Sequence, residues 1–120
     1  MISNKKSNLL FIEPSDNVSN DPLIDNLTRR MVTAWRKRTI ADGGFLGWHT
    51  CVCGAMSDAD VSYVIGRNKK YSTNSLCVHY LACHREEIPT DELEKVMNLP
   101  DDEAEPTNDE IQYPIDKVFR

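Results

Sequence analysis

Apolar residues recur at spacings of three and four between Leu23 and Trp35. Leu23, Leu27, Met31, Ala34 and Trp35 fall on one stripe, as in a helix that buries a single face. The pattern predicts a long helix over Asp21–Ile40. Asp21 caps it, and Pro22 takes the first position, where a missing amide proton costs nothing. Asp25 sits early and Arg36, Lys37 and Arg38 late, as the helix dipole prefers, and Gly43-Gly44 ends the run. Beyond it the period changes. Phe45 to Cys53 reads as extended and leads into a tight turn at Gly54, and Ser57-Asp58-Ala59-Asp60 reads as a loop. Val61, Tyr63 and Ile65 alternate with smaller residues over a short strand, which Gly66-Arg67-Asn68-Lys69-Lys70 turns back into a hairpin. A second helix is expected over Ser75–Glu87, capped by Thr73 or Asn74 and stopped by Pro89. A third is expected over Asp91–Asn98, capped by Thr90, with Leu93, Val96 and Met97 inward and Pro100 ending it.

The ends of the chain lack this patterning. Residues 1–19 are polar and rich in Ser and Asn, the composition of a flexible arm. Residues 20–99 carry the periodic segments and form the expected domain. Residues 100–120 begin as an acidic linker. They then regain apolar positions at Ile111, Tyr113, Ile115, Val118 and Phe119, as in a docking segment or a last strand. The class expected is a small α+β domain.

Charge divides the chain in the same way. The net charge of −5 is the sum of −2 over residues 1–27, +4 over 28–88 and −7 over 89–120. A basic middle is therefore followed by an acidic segment, and the pI of 5.1 describes neither. No apolar run approaches the ~20 residues that span a bilayer, so no membrane partner is expected. Leu9-Leu10-Phe11-Ile12 after two lysines is too short for a signal peptide, which needs about 7–15 apolar residues. A cytoplasmic or equivalent reducing location follows, and with it free cysteines.

Those cysteines supply the chemistry. All four, and all three histidines, lie between His49 and His84 in two groups, His49-Thr50-Cys51-Val52-Cys53-Gly54 and Cys77-Val78-His79-Tyr80-Leu81-Ala82-Cys83-His84. Thiolate and imidazole donors in two groups suit one tetrahedral zinc ion, and the mixture disfavours an iron–sulfur cluster. Cys51 and Cys53 converge if the backbone curls at Gly54. On the second helix, His79 and Cys83 share a face one turn apart. His79 and His84 have the spacing of a finger's two histidines, with the helix end relaxing to bring them together. The ligand set is therefore Cys51, Cys53 and His79 with either Cys83 or His84. Cys77 falls on the far side of the helix from His79 and reads as a small core residue. His49 is open between an outer-shell partner, an alternate ligand and a surface residue.

Turn, short hairpin and ligand-bearing helix resemble the broad ββα or treble-clef zinc-finger class over residues 45–88. The resemblance implies only the ligand logic, two donor groups gathered around one ion. Two departures stand out: one residue rather than two separates the cysteines, and 25 residues lie between Cys53 and His79, against about 12 in a compact DNA-reading finger.

Neither His-x-Glu with Pro-Cys-x-x-Cys nor His-Glu-x-x-His is present, so deaminase and metalloprotease signatures are absent. A closed, structural zinc in a non-enzymatic regulatory or adaptor protein is the reading that follows, acting through protein–protein contacts. Nucleic-acid binding is the alternative, through Arg36, Lys37, Arg38, Lys69 and Lys70, with the acidic segment as an internal competitor. A zinc hydrolase using Ser57, Asp58 or Asp60, and a thiol redox sensor, are further alternatives.

Overall fold

Asp25, rather than Asp21, starts the first helix. Its backbone is extended (φ −103°, ψ −168°) and its carboxylate accepts the Thr28 amide proton at 3.2 Å. The computed structural model describes residues 7–10, 12, 14, 18, 21–45, 50–51, 53–56, 60–67, 69–100 and 104–112. In chain order these form β1 (Ser7–Asn8), α1 (Asn26–Arg36), β2 (Thr39–Phe45), β3 (Asp60–Ile65), β4 (Lys70–Thr73), α2 (Cys77–Cys83), α3 (Thr90–Met97) and α4 (Asn108–Ile111). A single 3-10 turn, Arg85–Glu87, follows α2. An α+β architecture is thus present, with a larger sheet than the hairpin expected.

α1 is shorter than the apolar stripe at both ends because tertiary bonds compete for the flanking backbone. The Leu23 amide donates to the Ala82 carbonyl at 2.8 Å, and the Leu23 carbonyl accepts the Thr28 hydroxyl at 2.7 Å. Residues 21–24 are thereby held against α2 outside the helix, and Leu23 is left 40% exposed instead of lying on the buried face. After Lys37 the chain enters β2. Gly43-Gly44 does not stop a helix. It lies within β2, where pairing with β3 slips between Ile40↔Ser62 and Phe45↔Asp60, a position where glycine tolerates the extra residues of a bulge.

The sheet has the order β1-β4-β3-β2, with β1 parallel to β4 and the other pairs antiparallel. The expected hairpin is its centre: Ser62↔Thr73 through Ile65↔Lys70, closed where the Gly66 amide donates to the Lys69 carbonyl at 2.7 Å. Gly66 is confined for another reason. A Cβ there would meet the Tyr71 ring at 2.9 Å and the Asn98 amide at 3.1 Å.

Residues 7–10, expected within a flexible arm, are built into the fold. Leu9 and Leu10 are fully buried, each worth roughly 2 kcal/mol of apolar transfer. The Leu9 amide and carbonyl bond Ser72 and Thr73 (2.7 and 2.8 Å). Leu10 adopts a left-handed backbone (φ 58°), and its amide donates to the Glu92 carboxylate at 2.7 Å. That bond offsets a conformation costing about 1–2 kcal/mol.

The core gathers Met31, Val32, Ala34 and Trp35 of α1, Val64 and Tyr71 of the sheet, and α2, all seven of whose residues are buried. α3 adds Val96, with Leu99 just beyond it. Met97, expected inward, is 49% exposed because it stands about 100° round the helix from Val96. Arg30 completes this corner by donating to the Met97 and Leu99 carbonyls at 3.1 and 3.0 Å.

α4 lies inside the stretch expected as an unstructured acidic linker. Thr107 and Glu110 form a reciprocal capping box around its single turn, and it packs against α2. The apolar positions from Tyr113 to Phe119 lie outside the described residues. No described helix is long and apolar enough to cross a membrane.

Candidate metal centre

The first two ligands come from a turn tight enough to bring them together. In an extended strand, side chains two apart share a face but sit about 6.6 Å from one another. Here the Cys51 amide donates to the Ala55 carbonyl at 2.7 Å, and the Gly54 amide to the Cys51 carbonyl at 2.8 Å. Gly54 takes φ +107°, open to glycine and strained for any other residue. The curl leaves the Cys51 and Cys53 sulfurs 3.5 Å apart.

The second pair comes from α2. Asn74 sets the entry, its side-chain oxygen accepting the Leu76 amide at 2.8 Å. His79 lies in mid-helix, and the helix stops at Cys83. His84, the C-cap residue, leaves helical dihedrals (φ −129°, ψ 32°). That departure lets a residue five positions on from His79 turn towards the same point. His79 Nε2 lies 3.2 Å from Cys53 Sγ, and His84 Nε2 lies 3.3 Å from Cys51 Sγ.

Cys51, Cys53, His79 and His84 therefore place four ligand atoms within 4.8 Å of one another, and they can hold one metal ion. All four residues are buried, none more than 6% exposed. Bond lengths of about 2.3 Å to sulfur and 2.0–2.1 Å to nitrogen put tetrahedron edges at about 3.5–3.8 Å for pairs including sulfur. The sulfur-containing pairs above fall a few tenths of an ångström short of that, so a small outward movement would admit an ion.

Protonation favours the same use. Burial pushes the His79 pKa down to about 4, and the neighbouring His84 adds to it. The ring is therefore neutral at pH 7. Its Nδ1 lies 2.9 Å from the Ile111 carbonyl, an acceptor only. The proton must be on Nδ1, which leaves the Nε2 lone pair facing the cluster. His84 Nδ1 stands 3.6 Å from the Glu87 carboxylate, brought round by the 3-10 turn. His79 thus has a hydrogen-bonded oxygen behind its distal nitrogen, as metal-binding histidines typically do, while His84 has a carboxylate nearby at a longer distance. Two thiolates, two neutral imidazoles and a divalent cation sum to zero charge, which a buried site tolerates.

His84, rather than Cys83, is the fourth member of the cluster. Cys83 is fully buried, and its thiol pKa rises to about 12, first through burial and then through Cys53 and Cys51. Its S–H donates to the Ile111 carbonyl at 3.7 Å. Cys77 is also fully buried, and burial lifts its thiol to about 12, consistent with a core residue. His49 lies outside the described residues, as do Ser57 and Asp58. All four cysteines are free thiols.

No protein-family model, curated protein or solved structure matches this chain. Any assignment therefore rests on the residues themselves.

The basic candidates fall into two separate places. Arg36, at the end of α1, is taken by the Glu110 carboxylate (2.8 and 3.1 Å) and the Glu105 carbonyl (2.6 Å). Lys37 caps α1 and is exposed, whereas Arg38 stacks over the Trp35 ring at 4.0 Å. Trp35 itself is buried and offers no free face to a base. Lys69 and Lys70 are exposed at the hairpin, with the Lys70 ammonium 5.0 Å from the Tyr63 ring centre.

Two contributors lie outside the ligand candidates. The Ile111 carbonyl is a backbone group and leaves no signature. Glu87, three residues after His84, does leave one: a carboxylate a turn beyond a histidine at a helix end.

Proposed function

We propose that the chain folds around one structural zinc ion and acts as a non-enzymatic adaptor or regulatory module through protein–protein contacts. One observation carries the zinc: four buried sulfur and imidazole atoms within 4.8 Å of one another, with the Ile111 carbonyl accepting from the distal nitrogen of His79. A soft–borderline S2N2 set suits zinc better than the oxygen-seeking cations. Four protein ligands in a dry site leave no open position for a substrate, which favours a structural over a hydrolytic ion. The order of turn, hairpin and ligand-bearing helix supports kinship with the treble-clef class, with ligands at the middle and C-cap of the helix.

Support for the adaptor role is the run Tyr113-Pro114-Ile115 and Val118-Phe119, apolar anchors after an acidic stretch. Met56, 51% exposed beside the metal turn, adds an apolar neighbour. In-cell cross-linking with mass spectrometry should identify one reproducible partner, lost when residues 113–120 are removed while zinc is retained. A shortened chain that keeps both its partner and its stability would dismiss the adaptor role.

Nucleic-acid binding is the second reading, favoured by the acidic segment lying on α1: Glu105 pairs with Arg29 at 3.1 Å and Glu110 with Arg36 at 2.8 Å. An internal competitor for a basic surface would sit this way. Binding to single-stranded or duplex DNA that weakens with salt and strengthens in Glu105→Gln/Glu110→Gln would support it, and no binding at low salt would end it.

A further inference from the structure

Residues 104–112 run as a strap from α1 to the metal cluster. At the α1 end, the Ala104 amide donates to the Thr33 hydroxyl at 3.0 Å. Glu105 pairs with Arg29, and the Arg36 guanidinium takes the Glu110 carboxylate with two nitrogens. At the cluster end the Ile111 carbonyl accepts from both His79 Nδ1 (2.9 Å) and the Cys83 thiol (3.7 Å). Gln112 then clasps the far side of the metal turn. Its side-chain amide bonds the Met56 amide and carbonyl at 3.1 and 3.0 Å, from a left-handed backbone at φ 49°.

A helix of one turn does not hold itself in water, even with a capping box. The strap therefore takes its shape from what lies at its two ends. One end is electrostatic and partly exposed. The other is a backbone carbonyl that dictates which nitrogen of His79 carries the proton, and hence whether the lone pair faces the cluster.

We propose that the strap is the outer shell of the metal centre and is coupled to it in both directions. Resting on the zinc reading above, this makes Ile111 a positioning group whose placement depends on Arg29 and Arg36, 82 and 75 residues earlier in the chain. Metal at Cys51, Cys53, His79 and His84 fixes the His79 ring and so seats the strap. A seated strap holds the ring in its metal-binding tautomer. Linkage makes the two effects equal in size. An acidic segment that competes for the two arginines, or salt that screens them, lowers metal affinity without touching a ligand.

Zinc affinity by chelator competition on the full chain tests this with Arg36→Glu and the charge swap Arg36→Glu/Glu110→Arg. Outer-shell losses weaken metal binding about 10–100-fold. Arg36→Glu should therefore bind zinc about tenfold more weakly, and the swap, which restores the ion pair but not the Glu110 capping contact, should recover part of the loss. In the wild type, zinc should slow hydrogen exchange at the Ile111 and Gln112 amides. If Arg36→Glu fails to fold, Gln112→Ala removes the clasp without changing charge and should weaken zinc about threefold. Wild type that binds zinc with an affinity matched within twofold by the variants that fold, or exchange at Ile111 and Gln112 indifferent to zinc, overturns the coupling alone. Wild type that binds no zinc overturns the metal reading and the coupling with it.

Discussion

The β1–α3 side of the molecule and the side where the metal turn meets α2 and α4 are both dry, but different forces keep them so. On the first, Leu9, Leu10, Val96 and Leu99 are buried hydrocarbon. Short polar bonds at the rim, such as Lys95 to the Asn8 carbonyl at 2.8 Å, close the edge. Such a region gains roughly 25 cal/mol per Å2 of apolar area buried and needs no ligand. On the second, two thiols and two imidazoles face one another, each with little hydrocarbon and a polar atom to satisfy. A dry cluster of that kind is costly alone and favourable around an ion, because metal binding is then part of the folding free energy. One half of the fold is thus self-sufficient, and the other is conditional.

Several perturbations should separate the halves. Removing the ion should have the largest effect, more than about 5 kcal/mol at neutral pH. A melting curve with chelator should fall by more than about 10 °C, with hydrogen exchange rising first at residues 50–56 and 104–112. Leu99→Ala, on the self-sufficient side, should cost about 2–4 kcal/mol in denaturant unfolding while zinc stoichiometry stays at one. Gly54→Ala should cost about 1–2 kcal/mol through its positive φ alone, since a Cβ there meets nothing within 4 Å. It should also weaken zinc, which calorimetric titration would detect. Cys83→Ser should cost about 1 kcal/mol and keep the metal, because Cys83 serves the Ile111 carbonyl rather than the ion.

The smallest effect belongs to the Asp25–Arg85 pair that ties the start of α1 to the turn after α2, at 2.7 Å. Hydrogen bonding from Arg85 holds the Asp25 carboxyl at about 2, against 3.8 when unperturbed. A folded pKa below the unfolded one means the stabilisation is complete only well above 3.8 and is lost as pH falls through about 2. Solvent screening at this partly exposed pair limits it to about 1 kcal/mol. Asp25→Asn should therefore lower stability by that amount at pH 7 and by only a small fraction of it at pH 2, where the carboxyl is about half protonated, measured by urea unfolding.

The same division explains what could be read from the chain. α3, within a residue of its expected limits, and the β3–β4 hairpin follow from local signals: Pro89 and Pro100 and the turn at Gly66. Alternation along β3 marks the strand but not its buried face, since Ser62 and Val64 are buried and Ile65 is 56% exposed. Cys51, Cys53 and His79 were legible because side-chain donors leave their mark in sequence. The choice between Cys83 and His84 was not legible. It turns on where α2 ends, and that end is set by one C-cap residue with non-helical dihedrals. α1 was overextended because an apolar stripe does not reveal that the Leu23 amide bonds Ala82. β1 and β2 were missed for a similar reason: sheet edges depend on distant partners, and β1 holds only two residues. α4 was hidden by an acidic composition, although Thr107-x-x-Glu110 is a capping-box signature that could have located it.

The central claim is that Cys51, Cys53, His79 and His84 together hold one zinc ion. Native mass spectrometry with elemental metal analysis tests it most directly, on protein purified without chelator as wild type, Cys83→Ser and His84→Ala. One zinc per chain is expected in the wild type and in Cys83→Ser, and none retained in His84→Ala. A wild-type chain without bound metal, or a His84→Ala chain that keeps zinc while Cys83→Ser loses it, would contradict the account.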